Sequence, residues 1–194
     1  MMRKIIYILV IVIGFCLVYF FWPHEELPVI NEIKTFQLES VHDGTYDSDN
    51  TKVKIVSFFY TNCPDICPLT LSDMKELQNK LKEEKLFGTE VELVAITIDP
   101  EVDDVAKLKE YATLFKSDPK GWKWLTGSGE EIKKVTNTFN MVSQKMDDGF
   151  VTHSTTMYLV DGNQQIRGIY DMATAKQKVD NEKIMEDVHA LLKK

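Results

Sequence analysis

Two short apolar runs bracket one amphipathic segment, and that order restricts the fold more than any other feature of the chain. Val53 to Phe59 and Val91 to Ile98 are nearly continuous in apolar character, the pattern of strands covered on both faces. Between them, Leu71, Met74, Leu77 and Leu81 recur at helical spacing from Leu69 to Lys85, with Lys and Glu on the other faces. After Asp99-Pro100 a second helical pattern runs from about Asp103 to Lys116, with Val105, Leu108, Ala112 and Phe115 facing in. Strand, helix, strand, helix at these lengths predicts a βαβ unit with a parallel pair, and so an α/β domain.

The flanking segments add antiparallel pieces. Ile33 to Leu38 alternates as a half-buried strand should, and His42-Asp43-Gly44-Thr45 supplies a hairpin turn, so an antiparallel ribbon is expected to open the domain. Trp122 to Leu125 reads as a short strand or turn. Ser128 and Glu131 form a capping-box pattern ahead of Ile132, Val135 and Phe139, which predicts a helix start. Asn140 to Thr152 reads as a long exposed loop. Thr155 to Val160 and Ile166 to Tyr170 read as a hairpin joined through Asp161-Gly162-Asn163, and Asn181 to Leu192 as a closing helix.

Arg3 and Lys4 precede Ile5 to Trp22, a stretch without charge. A helix over it would span about 27 Å at 1.5 Å per residue, enough for a bilayer core. The expectation is a single-pass anchor in the cell membrane, N-terminus inside and body on the outer face. The chain then divides into an anchor over residues 1–23, a linker over 24–31 and one domain over 32–194. Cys16 lies in the apolar segment; Phe15 ahead of it favours plain packing over lipidation, because lipidation sites resemble small-residue junctions. The formal charge of −7 argues against nucleic-acid binding. With only Arg3 and Arg167 as arginines, bidentate arginine clamps are not expected.

The chemistry is concentrated in Tyr60-Thr61-Asn62-Cys63-Pro64-Asp65-Ile66-Cys67-Pro68, between the first apolar run and the first helix. A helix start offers unpaired N–H groups and partial positive charge, which favour thiolate. Residues four apart share a helix face, so Cys63 and Cys67 can reach one spot. Metal capture and a disulfide, redox-active or structural, are all sterically open. Two soft thiolates favour Cu(I), zinc or an iron–sulfur cluster. Cys16 is the third and last cysteine, so a four-cysteine site cannot be built and a third ligand would most naturally be histidine. Of His24, His42, His153 and His189, His153 ends the long loop just ahead of the late hairpin, and the sheet topology returns that loop to the cysteine end.

These segments resemble the Sco/SenC copper proteins. The matching residues are Tyr60 to Pro68, then Ile96-Thr97-Ile98-Asp99-Pro100-Glu101, then His153-Ser154 with Met157-Tyr158-Leu159. The resemblance implies a thioredoxin-like fold, a central mixed sheet with flanking helices and an N-terminal β-hairpin. It implies copper, as Cu(I) or Cu(II), held by Cys63, Cys67 and His153. The expected role is a membrane-anchored metallochaperone serving the dinuclear copper centre of cytochrome c oxidase. Its partners would be the copper-bearing oxidase subunit and a copper donor or thiol reductant protein. The alternative is a thiol–disulfide oxidoreductase in which Cys63 and Cys67 reduce the target cysteines before copper loading. Family members often carry an acidic residue before the histidine, where this chain has Thr152; Asp147 or Asp148 are the nearby substitutes.

Overall fold

The computed structural model describes Tyr7 and residues 11–15, 26–42, 44–146 and 151–193, with backbone alone at Ser143, Lys145, Thr152 and His153. Its centre is an eight-stranded mixed sheet. In chain order the elements are β1 (Asn31–Glu32), β2 (Gln37–Ser40), β3 (Gly44–Asp47), β4 (Val53–Phe59), α1 (Ile66–Glu83), β5 (Val91–Thr97) and α2 (Val105–Leu114). They continue as β6 (Trp122–Thr126), α3 (Gly129–Thr138), β7 (Ser143–Lys145), β8 (Val151–His153), β9 (Thr156–Val160), β10 (Gln165–Asp171) and α4 (Asn181–Leu192). The strand order is β1-β10-β9-β4-β5-β6-β2-β3. β4, β5 and β6 run parallel, and the other pairs in this sheet are antiparallel.

β4 and β5 are buried along their whole length, as continuous apolar runs require. Alternation sends Ile55, Phe59, Leu93 and Ala95 to one face, where α1, α2 and α4 cover them through Leu71, Met74, Leu77, Leu108, Ala112, Ile184 and Val188. Val56, Phe58, Val94 and Ile96 go to the other face, against α3 and the N-terminal segment through Ile132, Val135, Phe139, Ile33 and Phe36. The capping box forms as expected: Ser128 Oγ accepts from the Glu131 N–H at 3.3 Å while the Glu131 carboxylate accepts from the Ser128 N–H at 2.8 Å.

The sequence expectations need three corrections. The expected transmembrane helix is the first: among the described residues no helix is long and apolar enough to cross a membrane. Apart from Tyr7 and residues 11–15, the segment over residues 5–22, Cys16 included, lies outside the described residues.

The opening ribbon is displaced toward the turn. Ile33 to Phe36 is irregular and β2 begins only at Gln37, pairing with β3 and, at Glu39 and Ser40, with β6. Ile33 and Phe36 pack under the sheet rather than joining it, because burying two large side chains outweighs the ladder bonds an edge segment would gain. Asn140 to Thr152 is not wholly a loop: β7 and β8 form a separate two-stranded ribbon, with Met141 buried ahead of β7 and Val151 buried at the start of β8. Arg167 is buried and ties the N-terminal segment to the late hairpin, with one N–H on a carboxylate and the others on main-chain carbonyls. It lies where the β9–β10 register shifts between Ile166 and Gly168, an irregularity that re-aims a side chain. There its guanidinium meets Asp161 Oδ2 at 2.7 Å and the Leu27 and Pro28 carbonyls.

Candidate metal and thiol site

The carboxyl ends of β4 and β5 define the edge where the chemistry-bearing residues gather. β4 ends at Phe59, and a tight turn follows in which the Cys63 N–H donates to the Tyr60 carbonyl at 3.2 Å. α1 begins at Ile66, which makes Cys67 its second residue and Pro68 its third. Pro68 therefore removes no helix hydrogen bond, since the N–H it lacks would have had no partner in the first turn.

The two sulfurs meet. Cys63 and Cys67 are both free thiols, and their side chains are hydrogen-bonded to each other, with the Tyr60 N–H also reaching the Cys67 sulfur. Cys67 is fully buried and Cys63 is 9% exposed, so the pair opens to solvent on the Cys63 side. The bond from Cys63 and then burial push the Cys67 thiol far above its ordinary value.

Tyr60 stands between this pair and the ribbon. Burial followed by the nearby Cys63 sulfur raises its hydroxyl to about 12, and the Val151 N–H acts on it in the opposite sense. Val151 begins β8 and packs in the same cluster as Cys63 and Cys67. His153 ends that strand, opposite Ser143, and Ser154 beyond it donates to the Val142 carbonyl at 3.0 Å. The start of the histidine strand is thus packed against the cysteine turn, while the imidazole lies outside the described side chains, as do those of Thr152, Asp147 and Asp148. Among the described residues no group of three or more His, Cys, Asp and Glu side chains is set to hold a metal.

Of the other histidines, His189 sits on α4 with its ring nitrogen 2.5 Å from Glu84, apart from the cysteines, and His42 follows β2 in a turn. His24 lies outside the described residues. Sequence reasoning missed the polar residues behind the turn. Asp103, read as a helix start, is fully buried and accepts from Thr61 and Thr97. Tyr111, on α2, stacks on Phe59 at 6.0 Å and is raised to about 12 by burial and then by the Cys67 and Cys63 sulfurs. The available signal for Asp103 was its place four residues after the Asp99 that stops a buried strand.

This arrangement matches known proteins along its length. The chain matches the SCO1/SenC family over residues 28–193. It is 31% identical to a SCO1/SenC family lipoprotein from Bacillus anthracis, whose structure superposes with a TM-score of 0.76 over 85% of this chain and 97% of that one. The Arabidopsis thaliana ScoI structure with copper bound is 30% identical, TM-score 0.68, covering 81% of this chain and 98% of that one. BsSco, described as a member of the Sco family of cytochrome c oxidase assembly proteins and as carrying a disulfide switch, is 26% identical with a TM-score of 0.73 over 87% and 98%. The match to the SCO2-like protein of Rickettsia conorii, 35% identical over 136 residues, takes in 66% of this chain and spans 63% of that protein's length. With the mixed sheet, the cysteine turn and the histidine strand in the family's order along the matched length, the chain belongs to the SCO1/SenC family.

Proposed function

We propose that this chain takes up copper through Cys63, Cys67 and His153 and hands it on during assembly of the dinuclear copper centre of cytochrome c oxidase. The observation that carries the reading is the direct contact of two free thiols at the start of α1. Adjacent soft sulfur donors suit Cu(I), and an imidazole added to them gives a three-ligand set. A vacant position then lets a thiol of the copper-bearing oxidase subunit enter and draw the metal away. The copper-bound Arabidopsis relative and the oxidase-assembly role given for BsSco support the same assignment. The apolar segment over residues 5–22 and the lipoprotein nature of the Bacillus anthracis relative support a membrane-associated place of work, with the domain on the outer face.

Titration of the reduced protein with Cu(I) and Cu(II), beside Cys63→Ala, Cys67→Ala and His153→Ala, tests this. One tight equivalent that all three variants weaken is the expected result. Parent-like binding by His153→Ala removes the histidine from the ligand set, and failure of the parent to bind tightly removes copper.

A second reading is favoured by the same contact: two thiols already bonded to each other need little motion to close a disulfide. In that role the pair reduces target cysteines by exchange through a mixed disulfide. Normal oxidase assembly in cells carrying His153→Ala, with loss in either cysteine variant, selects thiol reduction over copper transfer.

A further inference from the structure

Beneath the cysteine turn lies a carboxylate that neither reading uses. Asp103 is fully buried. Its Oδ2 accepts from the Thr61 N–H at 3.0 Å and from the Thr97 hydroxyl at 2.7 Å, and its Oδ1 accepts from the Thr61 hydroxyl in a short bond. The Lys107 ammonium stands 3.5 Å from Oδ1. The backbone of Asp103 is fixed as well: its N–H donates to the Asp99 carbonyl at 2.9 Å, and its own carbonyl accepts from the Thr126 hydroxyl at 3.0 Å. One residue therefore binds the turn after β4, the end of β5, the start of α2 and the end of β6.

The two sulfurs are held by different means. Cys67 rides on α1, whose inner face packs into the core through Leu71, Met74, Leu77 and Leu81. Cys63 rides on the turn, two residues after Thr61, and both polar groups of Thr61 that reach inward end on Asp103. A relaxation at Thr61 moves Cys63 while Cys67 stays in place.

We propose that Asp103 is a positioning residue for the cysteine pair, its carboxylate fixing the Cys63 turn against the helix-borne Cys67 and so setting how readily the pair passes between dithiol and disulfide. The proposal rests on the reading of the pair as the functional site, and its redox arm is independent of copper. In the reference reaction Cys63 and Cys67 give up two protons and two electrons to one glutathione disulfide. The Cys63–Cys67 bond forms, the glutathione S–S bond breaks, and two glutathione thiols are released.

The test equilibrates the full chain, in a Cys16→Ser background, with glutathione redox buffers and reads the disulfide fraction by mass after thiol trapping. Asp103→Asn and Thr61→Val are compared with the parent. Asp187→Asn is the control for a buried carboxylate elsewhere, one that accepts from Tyr170 at 2.7 Å and Lys183 at 2.8 Å. The contacts to Asp103 are those of the dithiol form, so weakening them should favour the disulfide. The expected shift is about tenfold in the exchange constant for Asp103→Asn, equivalent to about 30 mV. Thr61→Val should shift it the same way by less, and Asp187→Asn not at all. A group that merely holds the fold would lower the thermal stability of oxidised and reduced protein equally and leave the exchange constant unmoved; that result in Thr61→Val overturns the proposal even where Asp103→Asn fails to fold. Cu(I) competition on the same proteins separates the two claims. If the parent binds no copper and the exchange constant still moves, positioning stands and the copper reading falls. If the parent binds copper and both variants keep its affinity and exchange constant, positioning alone falls.

Discussion

Arg167→Met should destabilise the domain by more than its single position suggests. The side chain is 6% exposed and its partner Asp161 9%, so the substitution strands a buried carboxylate at Oδ2, where the guanidinium now sits at 2.7 Å. It also takes the donors from the Leu27 and Pro28 carbonyls. Breaking a buried pair from one side costs about 3–5 kcal/mol. Asp161 keeps the Asn163 and Gln165 N–H groups on Oδ1 at 2.9 and 3.0 Å, which places the expected loss at the lower end, about 3 kcal/mol. With a urea slope of about 2 kcal/mol/M, the denaturation midpoint should fall by about 1.5 M at unchanged slope. The double variant Arg167→Met with Asp161→Leu should recover part of this, because no charge is then left buried alone. A midpoint drop below about 0.5 M for the single variant would mean that the pair contributes no more than an exposed one, and would refute the reasoning.

Other outcomes follow from the same geometry. In the native reduced protein iodoacetamide should modify Cys63 well before Cys67, since Cys67 is enclosed and its thiol is held up by Cys63 and by burial; equal rates, read by peptide mapping, would contradict the site as described. Burial pulls the Lys54 ammonium from 10.5 down to about 8. Between those values the unfolded chain binds a proton that the folded one has released, so stability should rise as pH rises through that window and stay flat with respect to this group below it. Urea midpoints of the parent minus those of Lys54→Met should show that rise, and a difference independent of pH would sink the assignment. Gly162→Ala should shift the β9–β10 turn and cost about 2 kcal/mol or more, because the new Cβ would stand 2.4 Å from the Thr51 carbonyl oxygen; a parent-like thermal midpoint would show that the turn yields freely.

The sheet was legible where side-chain period and burial agree. β4 and β5 are covered on both faces, so their continuous apolar runs mark them without reference to anything distant. α4 and the capped start of α3 carry local signals, period in one and Ser128 with Glu131 in the other. The cysteine pair and its place at a strand-to-helix junction were legible for the same reason, since four residues of spacing fix proximity locally. β7 and β8 were not legible, because a polar ribbon carries no alternation that a loop would lack. Nor was the loss of β1–β2 regularity at Ile33 to Phe36, where packing against Val135 and Phe139 from a distant helix decides the backbone.

Sequence by itself determined the α/β order, the parallel core and the two thiols with histidine following, because those rest on periods and spacings contained within short segments. Only the tertiary structure decided that Asp103 holds the Cys63 turn, that Tyr60 stands between Cys63 and the strand of His153, and that Arg167 closes on Asp161 and Leu27. Each of these joins residues whose separation in the chain runs from 6 to 140, with Tyr60 and Val151 likewise remote. A buried polar group must find its partner wherever the fold brings one within reach, and no local pattern records where that will be.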